Sequence, residues 1–73
     1  MIETELQLLQ TIACNIKRTR TFRGLSQEEL AFRAGIHPRH LQKIESASIN
    51  PTILSLFRLG QALEIKLEDL VKS

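Results

Sequence analysis

Residues 25–45, LSQEELAFRAGIHPRHLQKIE, constrain the fold more than any other stretch of the chain. Ser26 stands three residues before Glu29, the spacing of a capping box. The serine oxygen accepts a free backbone N–H at a helix start, and the glutamate reaches back to the serine's own N–H. A helix over residues 27–34 follows, with Leu30, Ala31 and Ala34 on its inner side. Gly35 ends it, because glycine takes the left-handed backbone that closes a helix. Pro38 then suits the first turn of a second helix, where its missing N–H is not needed. His37 falls at the N-cap, and Ile36 and Leu41 are spaced to staple the entry. This second helix covers residues 38–45, with Leu41 and Ile44 inward and Arg39, His40, Gln42 and Lys43 outward. Helices this short are not stable alone, so the rest of the chain must supply their packing.

The flanking sequence offers three more helices. Thr4 and Gln7 have the spacing of another capping box, which predicts a first helix from residue 4 to about residue 22. Leu6, Leu9, Ala13, Ile16 and Arg20 recur at threes and fours on one face of it, and Gly24 marks its end. Asn50 and Pro51 mark a turn, and Thr52 caps a fourth helix through residue 63. Ile53, Leu56, Phe57, Leu59, Ala62 and Leu63 are available from it to the core. Gly60 costs about 1 kcal/mol against alanine inside a helix, which points to close backbone approach there. A short helix over residues 67–71 completes the set. Nothing alternates with period two, so the expected fold is all-α: one five-helix domain over residues 1–73, with residues 1–11 as an N-terminal extension.

Composition narrows the function. The 73 residues allow one small core. At 42% apolar the chain is too hydrophobic for a disordered tail, yet no run is long enough to cross a bilayer. Glu3 and Glu5 stand where a secretory leader would be basic. Cys14 is alone, so no internal disulfide forms and a reducing cytoplasm is expected, with the thiol as a half-buried apolar filler. His37 and His40 lack the neighbouring ligands of a metal site. No nucleophile has a paired base and no loop suits a cofactor, so neither an enzyme, a cofactor nor a metal is expected. The net charge of +2 is unevenly placed. Residues 6–27 hold no acid but carry Lys17, Arg18, Arg20 and Arg23, whereas acids gather at Glu64, Glu68 and Asp69. That asymmetry suits an anionic partner on one side.

Beyond these local signals the chain resembles a known family. Residues 16–20, GLSQEELA at 24–31, AGI at 34–36, LQKIE at 41–45, NPT at 50–52 and LEDL at 67–70 are similar in order and spacing to the Cro and phage-repressor type of helix-turn-helix domain, the XRE family. The resemblance covers residues 12–71. It implies a five-helix, lambda-repressor-like bundle in which the motif, about residues 27–46, reads double-stranded DNA. By this likeness Gln27 holds a phosphate at a helix N-terminus, and Pro38, Arg39 and Lys43 face the bases, with His40 beside them. Arg39 is suited to a bidentate contact with guanine. His37, Ser48 and Asn50 fall to the DNA backbone. Arg20 and Glu45 match a structural ion pair joining helix one to the end of helix three. The chain departs from the family pattern where Ala47, Ser48 and Ile49 replace a glycine and basic residues, and where Glu64 replaces a common glycine.

Two functions are therefore in view. The first is a homodimeric, sequence-specific DNA-binding transcriptional regulator reading a palindromic operator, such as a Cro-like repressor, a restriction-modification controller or an antitoxin. Leu54, Leu67, Leu70 and Val71 would form its dimer contact. The second is a protein-interaction module of the same fold, an antitoxin or anti-repressor binding a partner such as a toxin, with weak affinity for DNA. A steep salt dependence of DNA binding separates the first from the second.

Overall fold

The computed structural model describes residues 3–73, for Glu3 the backbone alone. Five α-helices follow one another: α1 Glu3–Phe22, α2 Gln27–Ala34, α3 Pro38–Glu45, α4 Ile53–Leu63 and α5 Leu67–Leu70. No strand occurs among the described residues.

The helix ends follow from local chemistry. Ser26 Oγ accepts from the backbone N–H of Glu29 at 3.0 Å, and Glu29 Oε1 accepts from the Ser26 N–H at 2.8 Å, so α2 starts on a complete capping box. The N–H that Ser26 donates to it holds the Glu29 carboxylate below its ordinary pKa of 4.5, and the Ser26 side chain adds to the effect. Gly35 closes α2 in the left-handed region at φ 70°. His37 Nδ1 accepts from the Arg39 N–H at 3.0 Å, which makes the histidine a working N-cap for α3. Thr52 Oγ1 accepts from the Ser55 N–H at 3.0 Å and starts α4. The start of α1 differs from expectation. Glu3 is already helical, so Thr4 lies inside the helix and does not cap it.

Each helix gives one face to a common core of Ile12, Ile16, Leu25, Leu30, Ala31, Ala34, Leu41, Ile44, Leu56, Leu59, Leu63 and Leu70. α2 packs against α4 and α3, and α1 lies across α3, α4 and α5. The radius of gyration, 11.1 Å, matches the ~11 Å expected of a compact chain this long. Gly60 lies where α4 meets the segment leading to α5. A Cβ built on it would stand 2.9 Å from the Ile65 carbonyl oxygen, which explains the glycine in mid-helix.

Three apolar residues expected inward face solvent instead. Leu6 is exposed near the start of α1, and Ile53 and Phe57 are 69% and 47% exposed on α4. The interior is already filled by Leu56, Leu59 and Leu63, which occupy the opposite side of α4. Cys14 is likewise exposed and fills no interior space.

Candidate nucleic-acid interface

The angle between α2 and α3 is fixed by one carboxylate. Arg20, at the end of α1, donates from Nε to Glu45 Oε2 at 2.7 Å and from Nη2 to Glu45 Oε1 at 3.1 Å. Its Nη1 donates to the Leu25 carbonyl at 2.8 Å, which ties the α1–α2 turn into the same cluster. Gln27 Nε2 then donates to Glu45 Oε1 at 3.0 Å. The two side chains of the ion pair are only 11% and 3% exposed. A planar guanidinium forked onto a carboxylate fixes orientation as well as distance. Arg20 thus joins α1 to the end of α3, and Gln27 joins the start of α2 to the same point.

With Leu41 and Ile44 buried, α3 turns Pro38, Arg39, Gln42 and Lys43 to solvent. His40 is half-buried on the flank of this face. His37 is exposed, and its Nδ1 is engaged in capping, so its Nε2 is the nitrogen left to point outward. A cleft runs between the start of α2 and α3, lined by Ser26, Gln27, Glu28, Pro38, Arg39 and Gln42.

The loop after α3 holds the least cationic part of this surface. Ala47 adopts φ 58°, a left-handed conformation that alanine disfavours, at the position where the family pattern has glycine. Ser48 Oγ lies 3.1 Å from the Lys43 carbonyl and 2.6 Å from Ser46 Oγ, so its hydroxyl is turned back onto the end of α3. Asn50 lines a small cavity with Glu5, Leu8 and Leu9.

The basic run on α1 is largely engaged within the protein. Arg20 is buried against Glu45, Arg18 Nη2 donates to Asn15 Oδ1 at 2.7 Å, and Arg23 pairs with Glu64 at 3.1 Å. Two of the four charges are thus matched by carboxylates, and the basic face that remains is that of Lys17 and the exposed Arg18, whose partner Asn15 is uncharged. Of the four residues expected at a dimer contact, Leu54 and Val71 are exposed and Leu67 is half-buried. Leu70 is fully buried in the core of its own chain and presents no surface to a second copy. Ile53 and Phe57 are the exposed apolar neighbours that sequence reasoning had placed inside.

Two residues gain importance that the sequence alone did not give them. Gln42 shares the cleft with Arg39. Asn15 is buried, and its Nδ2 donates to the carbonyls of Leu70 and Lys72, each at 2.8 Å. These are acceptors at the end of α5 that no helical N–H reaches. The signal for Asn15 was present, since it stands between Ile12 and Ile16 on the inward side of α1.

A short helix pair locked at a fixed angle, with a polar second helix turned outward, defines a helix-turn-helix protein of the DNA-binding type. Residues 16–70 match the helix-turn-helix family HTH_3, and the chain belongs to that family. It is 33% identical over 66 residues to the HTH-type transcriptional regulator y4dJ of Sinorhizobium fredii (strain NBRC 101917 / NGR234), covering 90% of this chain and 86% of that protein. The crystal structure of the restriction-modification controller protein C.AhdI from Aeromonas hydrophila is similar with a TM-score of 0.82 at 31% identity, over 85% of this chain and 94% of the other. That of the hypothetical transcription factor NHTF from Neisseria gives a TM-score of 0.86 at 26% identity, over 89% and 75%. No helix among the described residues is long and apolar enough to cross a membrane.

Proposed function

We propose that this protein is a sequence-specific regulator of transcription that binds double-stranded DNA as a homodimer on a palindromic operator in the cytoplasm. The observation that carries the reading is the solvent-facing side of α3, where Arg39 and Lys43 project from a helix held by the Arg20–Glu45–Gln27 cluster. In this reading α3 enters the major groove, Arg39 takes a guanine edge and Lys43 a neighbouring base or phosphate. Pro38 contributes van der Waals contact, and His40 stands at the edge of the base-facing surface. The phosphate contacts come from the start of α2 at Gln27 and from His37, with Ser48 and Asn50 as weaker candidates in the following loop.

Because one amide N–H of Gln27 is already held by Glu45, its phosphate contact uses the second amide N–H or the helix backbone. One α3 spans only a few base pairs, so useful affinity requires two copies on half-sites about 10 bp apart. Leu54 and Val71, with Ile53 and Phe57, supply the apolar surface for that contact. The likeness to C.AhdI supports a controller-like role as one form of this reading.

The experiment is selection from random duplexes followed by gel shift across a salt series. An enriched two-fold motif, with log K falling linearly against log salt, is the expected result. A second reading, docking of a protein partner such as a toxin with little DNA affinity, draws on the charge-poor loop over residues 46–50 and on exposed Ile53, Leu54 and Phe57. It predicts salt-insensitive binding and no enriched motif.

A further inference from the structure

We propose that Gln42 is a specificity-determining residue that reads an adenine next to the base contacted by Arg39; the inference rests on the DNA-reading role proposed above. At 3.6 residues per turn, Gln42 lies roughly 60° to one side of Arg39 and Lys43 roughly 40° to the other. The outward face of α3 is therefore centred on Arg39, with the amide and the ammonium flanking it. Gln42 is exposed and makes no side-chain hydrogen bond with the described residues.

It projects into the cleft shared with Ser26, Gln27, Glu28, Pro38 and Arg39. The other polar groups there are mostly engaged or unsuited. Ser26 Oγ holds the Glu29 N–H, Gln27 donates to Glu45, and Pro38 has no polar side-chain atom. Glu28 lines the α2 side of the cleft with a carboxylate, which has no N–H to offer a base. Arg39 and Gln42 remain as the long, uncommitted donors. A carboxamide offers one donor and one acceptor in a plane, the complement of adenine N7 and N6 in the major groove, as a guanidinium complements guanine. Arg39 and Gln42, one helical turn apart, thus read a G and an A at adjoining positions of each half-site, and Lys43 serves the other flank.

The test compares sites selected from random duplexes by the wild type, Gln42→Ala and Gln42→Glu, with helicity of each variant checked by circular dichroism. Both substitutions are at an exposed position and leave the core intact. The expected result is that Gln42→Ala loses the adenine preference at one position per half-site, with roughly tenfold weaker binding to the wild-type site and an unchanged salt slope. Gln42→Glu shifts that position toward cytosine, whose N4 amine donates to a carboxylate. Retention of every base preference by Gln42→Ala, or a loss spread evenly over all sequences, overturns the assignment while leaving the DNA-reading function standing. A wild type that enriches no motif overturns both.

Discussion

Glu45 accepts three hydrogen bonds from two side chains and is nearly sealed from solvent, which makes it the most exacting residue in the molecule. Its removal leaves the Arg20 guanidinium buried without its anion, a loss of about 3–5 kcal/mol for pairs of this kind. A chain of 73 residues has a total stability of only about 4–11 kcal/mol. Glu45→Ala is thus expected to lower the urea midpoint by at least about a quarter, and Arg20→Met combined with Glu45→Leu to recover much of the loss. The exposed Glu29 offers a pH test. Its folded pKa is lowered, so its contribution is complete above the unfolded value and is lost as pH falls through the folded one. Glu29→Gln keeps the capping hydrogen bond but removes the charge. The stability gap between wild type and variant should therefore close on acidification from pH 6 to about pH 3, read from denaturation midpoints. Both residues announce themselves in sequence differently. Glu29 is visible from its spacing to Ser26, whereas the Arg20–Glu45 pair spans 25 positions and came only from resemblance.

At the scale of elements, the bounds of α2 and α3 were legible because each terminus carries its own chemistry: Ser26, Gly35, His37 and Pro38. Burial was less legible. On α4 the apolar residues outnumber the places available inside, and periodicity alone could not tell Ile53 and Phe57 from Leu56 and Leu59. The loop after α3 contains a strain that sequence comparison pointed to and the backbone locates at Ala47. Left-handed backbone costs an alanine about 1–2 kcal/mol, partly offset by the greater unfolded entropy of glycine. Ala47→Gly should raise stability by roughly 0.5–1 kcal/mol, a Tm increase of roughly 2–8 °C by calorimetry. An unchanged or lower Tm would show that the loop relaxes elsewhere. Within the candidate interface the positions on α3 were legible from its caps and apolar spacing. The commitments of Gln27 and Ser48 were not, since each depends on what lies across the turn.

For the whole molecule, the proposed homodimer needs a surface on which two copies meet. Leu54 is 53% exposed and close in sequence to Ile53 and Phe57, also exposed on α4. Leu54→Lys removes no core contact, so the variant should fold. If the proposed dimer forms through this surface, light scattering should find the wild type dimeric and the variant monomeric, and the variant's DNA binding should lose its steepness with protein concentration. A dimeric Leu54→Lys would move the contact to another surface. The grip of Asn15 on the carbonyls of Leu70 and Lys72 has a further consequence, for synthesis. A residue made early is completed by residues made 55 or more positions later, a wait of roughly 3–11 s at ordinary translation speed. During that interval α1 exists without the cap of α5 and without Leu70 in the core. Native structure therefore waits until α5 has emerged, and until then a chaperone or a second nascent copy can reach the apolar faces of the earlier helices.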